Sequence, residues 1–399
     1  MTKWPHKESN KVLVNSGAEV LHVAPPRLVA ANELSIAVGA TGEHIFMRAS
    51  ENVLSRSIES AALLNLLPAM RAQQRLHIMG TFPDALAEGV MRFSQILSGW
   101  FKELHPVQLG SDASVVDIER GERIAVFFTG GVDSFYSLLV HEPEITDLIF
   151  VHGFDVKLED HQRRRDISAM LVRVGTALGK RVIEVETNAR DVLKAYGAWS
   201  THSHGLALAS VAHALGCSFG KVYIASSFSE GDLFPWGSHP ETDPLLGGAL
   251  KLVHDGCDVT RAEKVVRISE HQVALDNLRI CWVNQQGRYN CGQCEKCLRT
   301  MTSLYAAGRL NKSSTLPVNI EPGLIHSLVL GREAKAGRAF ATENLRLLER
   351  FGHQKSPIYL AWHSVLMRPD WKNRLLVMYR KKSAFWRERW GRLWRALEK

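Results

Sequence analysis

Short apolar runs and helical segments alternate through the middle of the chain. Five of these runs predict buried strands, at residues 124–128, 148–151, 182–185, 222–225 and 278–280. The segments between them place apolar residues at helical spacing, as from Ile167 to Leu178. Such alternation is typical of a parallel sheet with helices on both faces. The pattern therefore predicts an α/β fold with a parallel, doubly wound, five-stranded sheet.

The segments on either side follow other patterns. Apolar alternation predicts a β-hairpin over residues 34–47, and helical spacing predicts helices over residues 57–70 and 86–104. After residue 311 a polar linker leads into a further helical pattern. We therefore divide the chain into three parts: a small α+β N-terminal domain over residues 1–110, the α/β domain over residues 111–310, and a linker with a helical C-terminal extension over residues 311–399.

Composition places the chain among globular proteins. Of its 399 residues, 45% are hydrophobic and 23% are charged, which predicts a sizeable packed core. No apolar stretch is long enough to span a bilayer, and the polar start from Met1 to Val14 lacks the apolar core of a secretory signal. The six cysteines, four of them closely grouped, lack the pattern of a secreted disulfide framework. We therefore expect a cytoplasmic protein.

The net charge of +8 is concentrated at the C-terminal end. Residues 368–399 hold eleven Lys/Arg and three Asp/Glu, so this segment alone carries a net +8. Trp386, Trp390 and Trp394 recur every four residues and would share one face of a basic helix. Such a helix suits docking on the protein's own core, binding to nucleic acid or an acidic partner, or contact with an anionic membrane. The sequence leaves these three roles open.

A glycine turn follows the first predicted strand of the α/β segment. The turn consists of Phe128-Thr129-Gly130-Gly131-Val132-Asp133-Ser134. Its glycines let backbone N–H groups approach a ligand closely, and the helix that starts at Asp133 attracts anions to its N-terminus. Thr129 and Ser134 add hydroxyl groups, and Asp133 suits a Mg²⁺ ligand in a turn that faces phosphate. The alternative is a plain tight connection between a strand and a helix.

Four cysteines near residue 290 have the spacing of metal ligands. They follow the pattern C-x9-C-x2-C-x2-C and are Cys281, Cys291, Cys294 and Cys297. Four thiolates at this spacing suit tetrahedral Zn²⁺ in a closed structural site, a zinc knuckle, and Lys296 and Arg299 offset its negative charge. An iron–sulfur cluster and four unliganded buried thiols are the alternatives.

The segment after the fourth predicted strand, residues 226–264, is rich in residues that bind ligands. It leaves the strand at its carboxyl end, on the same edge of the sheet as the glycine turn, where long loops commonly carry function. We expect Arg261 or Lys264 to neutralise phosphate charge. The candidates for substrate binding are Asp232, His239, Asp243 and Arg261. The alternative is a polar surface loop, and Cys257 within it is expected to be inert, like Cys217.

The glycine turn resembles the PP-motif, Ser/Thr-Gly-Gly-x-Asp-Ser, of the N-type ATP pyrophosphatases. That family has an adenine nucleotide alpha hydrolase-like fold, binds ATP, transfers AMP to an oxygen of its substrate and releases pyrophosphate. The resemblance implies that residues 128–134 bind ATP with Mg²⁺, and that Asp133 and Ser134 act in catalysis together with Lys264. It also implies an adenine pocket after the second strand, with His152 and Phe154 as candidates. The alternative for His152 is a histidine hydrogen-bonded within a loop.

The motif and the cysteine pattern together resemble the 7-cyano-7-deazaguanine synthase family over residues 122–310. In that family the zinc is structural, and a carboxylate is converted through an amide to a nitrile with ATP and ammonia. The chain departs from it by one extra residue between the first two cysteines, by its N-terminal segment and basic tail, and by a different loop over residues 226–264. Longer chains of this kind are similar to members of bacterial accessory gene clusters for antiphage defence or surface polysaccharides.

These observations lead to one expected function and two alternatives. We expect an ATP-dependent ligase that adenylates a substrate oxygen, with a carboxylate favoured, and then transfers ammonia or an amine. The alternatives are ATP-dependent thiolation and a non-catalytic nucleotide-binding subunit of a larger accessory assembly. The expected partners are a small-molecule or modified-protein substrate, a second copy in a homodimer, or proteins of an accessory gene cluster.

Overall fold

The computed structural model describes residues 19–40, 42–116, 118–281, 288–330 and 335–378. Numbered in chain order, the strands are β1 Val20–Val23, β2 Arg27–Ala30, β3 Glu33–Val38, β4 Glu43–Ala49, β5 Arg75–Pro83, β6 Leu109–Val115, β7 Arg123–Phe127, β8 Asp147–His152, β9 Arg181–Thr187, β10 Phe219–Ala225 and β11 Lys251–Asp255. The α-helices are α1 Ile58–Ala72, α2 Asp84–Trp100, α3 Val132–Val140, α4 His161–Leu178, α5 Ala189–Leu193, α6 His204–Ala214, α7 Arg261–Ile268, α8 Gln272–Asn277, α9 Glu295–Ala306, α10 Pro322–His326, α11 Lys335–Arg350, α12 Pro357–Leu366 and α13, residues 370–378.

The main sheet has eight strands in the order β11-β10-β7-β8-β9-β4-β3-β2. The strands from β11 to β9 are parallel to one another, whereas β4, β3 and β2 join through antiparallel pairs. The predicted α/β class with parallel strands is therefore confirmed. The sheet is nevertheless larger than the five parallel strands predicted, and it is mixed.

One predicted strand is wrong, and another element takes its place. Residues 278–280 are not a strand, because the backbone N–H groups of Ile280 and Cys281 donate to the side-chain oxygen of Asn290. The N–H of Arg279 donates instead to the carbonyl of Gly130. The edge of the parallel region is β11, which pairs with β10 and lies inside the segment predicted as a loop.

The predicted hairpin is confirmed as β3 and β4, and the two predicted helices as α1 and α2. The hairpin continues the main sheet, because Met47 to Ala49 pair antiparallel with residues 185–187 of β9. Strands on both sides of residue 110 thus share one sheet, while the division of the chain into domains stays a prediction. A separate three-stranded parallel sheet has the order β1-β5-β6.

Both faces of the parallel strands are buried. Along β7 and the residue that follows it, Ala125 and Phe127 belong to a core that includes α1 and α6, whereas Val126 and Phe128 belong to a core that includes α3 and α4. This division follows from the alternation of side chains along a strand. A third core joins α9 to α10, α11 and α12, and its buried Trp362 donates from Nε1 to Thr302 at 2.8 Å. The chain after residue 311 is therefore helical, as predicted, over its described residues.

The strand order creates a crevice between β7 and β10. From β7 the chain continues to β8 and β9 on one side, and then returns to β10 and β11 on the other. Ligands of open parallel sheets bind where the order reverses in this way, outside the carboxyl ends of the strands. The glycine turn follows β7 directly and therefore lies at this point.

Two sequence predictions concern membranes and the basic tail. Among the described residues, no helix has both the length and the apolar character needed to cross a bilayer. The predicted face of Trp386, Trp390 and Trp394 lies outside the described residues and stays a prediction.

Candidate functional site

The glycine turn is a compact connection held by its own hydroxyl groups. The N–H of Thr129 donates to the Ser134 hydroxyl at 3.2 Å, and the N–H of Gly131 donates to the Thr129 hydroxyl at 3.3 Å. Gly130 has a φ of +71°, a conformation that favours glycine. Arg279 holds the turn from outside, donating from its Nε to the carbonyl of Thr129 at 3.0 Å. The turn is therefore fixed before any ligand binds.

Asp133, in the first turn of α3, lies at the centre of the site. Its Oδ2 accepts hydrogen bonds from Ser227 at 3.0 Å and from Arg261, while Oδ1 is buried without a partner among the described residues. Burial alone would raise the pKa of Asp133, but Arg261 and Lys264 outweigh it and hold the pKa below its ordinary value. Asp133 is therefore an ionised carboxylate with one oxygen free to bind a ligand.

Two helices bring four cations to this carboxylate. They are Arg261 and Lys264 on α7, and Lys296 and Arg299 on α9. Burial, reinforced by the neighbouring arginines, lowers the pKa of Lys296 to about 8 and that of Arg299 to about 10. Burial also lowers the pKa of Lys264, against the opposing effect of Asp133. Because the cations repel one another at close range, the site favours an anion that would relieve this repulsion.

Local structure explains how α7 presents its two cations. Thr260 and Glu263 form a reciprocal capping box that fixes the first turn of the helix. Arg261 then reaches Asp133, and Lys264 donates from Nζ to the carbonyl of Ser226 at 2.7 Å. Lys264 is also 5.5 Å from the centre of the Tyr136 ring. The helix cap thus sets the position of the predicted phosphate-neutralising residues.

A narrow recess, with room for about one water-sized group, lies between α7, α9 and α11. Its wall includes the ring of Phe340, which the Arg299 guanidinium covers at 3.8 Å. Three buried polar atoms of the lining lack partners among the described residues: Arg261 Nε, Arg299 Nε and Thr300 Oγ1. Because buried donors normally have partners, these atoms mark a place for an acceptor group of a ligand.

The two candidates for the adenine pocket have different surroundings. His152 is buried, and its Nε2 lies 2.6 Å from Glu184, which leaves Nδ1 without a partner among the described residues. Phe154 packs against Trp199 with ring centres 4.7 Å apart, and Arg190 covers Trp199 at 5.4 Å. His152 is thus bound to a neighbouring strand, while Phe154 belongs to an aromatic group beyond the carboxyl ends of β8 and β9.

Of the predicted substrate-binding residues, only Arg261 contacts the glycine turn. Asp232 accepts a hydrogen bond from Ser229 at 3.0 Å, and His239 packs edge-on against Trp100 at 4.9 Å. Asp243 is fully buried, and its two oxygens are occupied by groups of its own segment, as described below. The structure therefore brings Arg261 and Lys264 to the turn, but not Asp243.

Several residues of the site were not predicted for these positions. Ser227 and Arg279 contact the turn, and Trp199 extends the aromatic group, although none has a local motif that marks it. Lys296 and Arg299 were predicted only as counter-charges to the cysteines. Their spacing of three residues in the helix after the cysteine pattern could have indicated a shared basic face.

The four cysteines lie together, as their spacing predicts. Their Sγ atoms are all within 4.8 Å of one another, and the Cys281–Cys294 and Cys291–Cys297 pairs are both 3.9 Å apart. Four thiolates around one tetrahedral zinc ion, at about 2.3 Å each, are separated by about 3.8 Å. The group could therefore hold a single metal ion, and the distances are compatible with zinc.

Asn290 connects the cysteine group to the glycine turn. Its side-chain nitrogen donates to the carbonyls of Leu278 and Thr315, and its oxygen accepts from the chain just before Cys281 and from Cys281 itself. This places Arg279 against the turn, and α9 begins immediately after Cys294. The cysteine group therefore positions cations of the site without contributing a group to it.

Comparisons with known proteins do not identify the chain: no protein-family model, no curated protein and no solved structure matches it.

Proposed function

We propose that the chain binds ATP at residues 128–134, transfers AMP to an oxygen of its substrate and releases pyrophosphate. The observation that carries this proposal is the environment of Asp133. This ionised carboxylate has one free buried oxygen and lies in a strand–glycine–helix turn at the reversal of strand order. Three buried cations, Arg261, Lys264 and Arg299, and the half-buried Lys296 surround it. A triphosphate with its metal ion supplies both the negative charge and the ligand that this arrangement lacks.

Different residues of the chain bind the phosphate and adenine parts of ATP. The N-terminus of α3 binds phosphate oxygens, while Arg261 and Lys264 stabilise the charge that develops as pyrophosphate leaves. Phe154 and Trp199 offer an aromatic surface to the adenine ring. The partnerless donors of the narrow recess, on Arg299 and Thr300, suit a single oxygen atom of the leaving pyrophosphate or of a substrate carboxylate.

Mg²⁺ and Zn²⁺ fit the two candidate metal sites in different ways. Mg²⁺ is commonly held by one or two carboxylates together with substrate phosphates, and the free Oδ1 of Asp133 meets this requirement. When bound there, Mg²⁺ would neutralise phosphate charge. We propose zinc as a structural ion for the four cysteines, because they form a closed set of four sulfurs with no open position.

The second half of the proposed reaction joins nitrogen to the activated substrate. A carboxylate oxygen attacks the α-phosphate, and ammonia or an amine then takes the place of AMP on the acyl carbon. The protein contributes positioning and charge neutralisation to both steps. A non-catalytic subunit would differ in one respect, since it would bind ATP without releasing pyrophosphate.

The test compares two Asp-to-Asn variants in ATP binding and turnover. Asp133→Asn should weaken MgATP binding at least about tenfold by calorimetry, or about 1.4 kcal/mol, while the exposed Asp276→Asn should match wild type. The wild-type protein is given ATP labelled at its α-phosphate, a metabolite extract and ammonium. It should yield labelled AMP together with unlabelled pyrophosphate. Absence of MgATP binding in wild type would overturn the proposal, and binding without AMP formation would leave the non-catalytic subunit.

A further inference from the structure

A histidine, a cysteine and a buried carboxylate meet at the end of β11. His254 Nδ1 lies 2.7 Å from Asp243 Oδ2, which also accepts from Ser238 at 2.6 Å. The other oxygen of Asp243 accepts from the N–H of His239 at 3.2 Å. Asp243 therefore has no oxygen left for a substrate, and its position fixes the orientation of the His254 ring.

The other nitrogen of His254 is directed away from Asp243 and is available. Nε2 is buried with no aligned hydrogen-bond partner among the described residues, and the His254 side chain is only 5% exposed. The thiol of Cys257 interacts with the imidazole, as do Asp243 and, at 3.4 Å from Nδ1, the Ser238 hydroxyl. Gly256, with a φ of +82°, turns the chain between them, and Cys257 is partly exposed. Carboxylate, imidazole and thiol thus follow the order of a nucleophilic triad.

The thiol lies beside the nucleotide site described above. Cys257 interacts with Ser226, and the next residue, Ser227, donates to Asp133. Lys264, which donates to the carbonyl of Ser226, packs against Gly256, where an added Cβ would lie 3.1 Å from its Nζ. One short segment after β10 therefore separates the thiol from the carboxylate of the proposed ATP site.

We propose that Cys257 is a nucleophilic catalytic residue, activated by His254 and positioned by Asp243, which takes the acyl group from the adenylated substrate as a thioester. This proposal rests on the proposed function for the supply of the adenylate. It assigns Asp243 a role that differs from the substrate binding predicted from the sequence.

The steps balance without any further reagent. The thiol proton passes to His254 Nε2, and the thiolate attacks the acyl carbon, so that a C–S bond forms and the bond to AMP breaks with its electron pair leaving on the phosphate. Ammonia or an amine then attacks the thioester. The C–N bond forms and the C–S bond breaks with its electron pair leaving on sulfur. The thiolate takes back the proton held by His254, and the single proton that the amine nitrogen loses passes to water. No oxidant or reductant is needed.

The charges around the thiol favour its ionised form. Burial raises the pKa of Cys257, but His254, Ser226 and Lys264 together hold it below its ordinary value. Burial acts against the charged form of His254, yet Asp243 and Cys257 raise its pKa to about 9. His254 and Lys264 are charged groups that act on this thiol. Asp243 contacts Nδ1 of the imidazole, and Asp255 is turned toward Ser137 and His141.

The first test measures alkylation by iodoacetamide as a function of pH, with peptide mass spectrometry. Cys217, which is exposed, is an internal reference in every sample. The midpoint for Cys257 should lie below that for Cys217, and His254→Gln should raise it by one unit or more, which is about tenfold less thiolate at neutral pH. The exposed His271→Gln is the matched control. Equal midpoints for the two cysteines in wild type would overturn the proposal, even if His254→Gln failed to fold.

The second test uses an adenosine derivative that carries a vinyl sulfonamide in place of the 5′-phosphate. Cys257 should form a covalent adduct with it, ATP should protect against the adduct, and Cys257→Ser should abolish it while retaining MgATP binding. Normal MgATP binding without an adduct at Cys257 would overturn acyl transfer to this thiol. Failure of MgATP binding itself would instead overturn the proposed function, and the alkylation profile would still decide whether Cys257 is activated.

Discussion

Gly153 and Gly179 have left-handed backbone conformations, with φ of +98° and +64°, but different surroundings. A Cβ added to Gly153 would lie 1.8 Å from the carbonyl oxygen of Thr187, whereas one added to Gly179 would meet no atom within 4 Å. We therefore expect Gly153→Ala to lower the free energy of unfolding by more than about 3 kcal/mol, because backbone on the neighbouring strand has to move. Gly179→Ala should lower the free energy of unfolding by about 1 kcal/mol, because alanine disfavours the left-handed backbone conformation. Urea unfolding of both variants measures the difference, and equal costs would contradict the close approach.

His213 is a buried histidine whose surroundings select the neutral ring. Its Nε2 donates to the carbonyl of Leu246 at 2.9 Å, and Nδ1 accepts from Arg120 at 3.4 Å. Burial lowers the pKa of His213 from 6.5 to about 4. Between these values the unfolded chain binds the extra proton, so the stabilisation is complete above pH 6.5 and is lost as pH falls toward 4.

The expected loss attributable to His213 is about 3 kcal/mol of unfolding free energy. Other groups titrate in the same range, so the measurement is the difference between wild type and His213→Gln in urea unfolding at several pH values. The variant should be less stable than wild type at pH 7, and the gap should narrow toward pH 4. A gap that does not change with pH would show that His213 is not held neutral.

At the scale of residues, the sequence indicated the glycine turn because its members are consecutive. It could not indicate that Ser227 and Arg279 contact the turn, since these two residues are 94 and 150 positions, respectively, from the turn residues that they contact. It also predicted Asp243 as a substrate-binding residue, although the carboxylate is buried against His254. Residue type thus predicted the chemistry available, while burial decided which groups can reach a ligand.

Among the elements, the cysteine group and α9 form one unit. Cys291→Ser should remove about one zinc ion per chain from the purified protein, because a structural site needs all four ligands, and should lower the melting temperature, because metal binding contributes to folding. Cys217→Ser, at the exposed cysteine outside the group, is the control and should keep both. Metal content by emission spectrometry and a thermal melt give the two values. Stoichiometric iron with visible absorbance would contradict zinc.

The elements also show where pattern reading fails. Leu278 and Ile280 have the alternating apolar pattern of a strand, but their backbone groups hydrogen-bond to the side-chain amide of Asn290 instead of to another strand. Nothing in the local sequence indicates this contact. Strand β11, Lys251–Asp255, is polar because it lies at the sheet edge, and it was therefore predicted as part of a loop. The apolar pattern identified the interior strands of the parallel region, where both faces are buried. It missed β11, the strand at the edge of that region.

At the scale of the whole molecule, the N-terminal segment supplies part of the main core. Helix α1 is buried along most of its length and packs on α6, where the Ser60 and Ser210 hydroxyls are 2.9 Å apart. Strand β4 covers the backbone edge of β9. The sequence predicts a separate domain here because the hairpin and helices are contiguous, and that division stays a prediction. The long-range pairing with β9 leaves no signal in local periodicity.

A chain that starts at residue 111 should therefore fail to fold on its own. Loss of residues 1–110 would expose α6, whose residues from Gly205 to Ala214 are all buried. It would also leave the backbone edge of β9 open. The five large apolar side chains that α1 buries contribute roughly 10 kcal/mol, which is comparable with the stability of a whole domain. We expect aggregation or loss of cooperative unfolding in the truncated chain, measured by size-exclusion chromatography and calorimetry, and rescue when residues 1–110 are co-expressed as a separate chain. A soluble truncated monomer that unfolds cooperatively would instead establish that residues 111–399 fold independently, because it would show that the shared sheet and core contribute little to their stability.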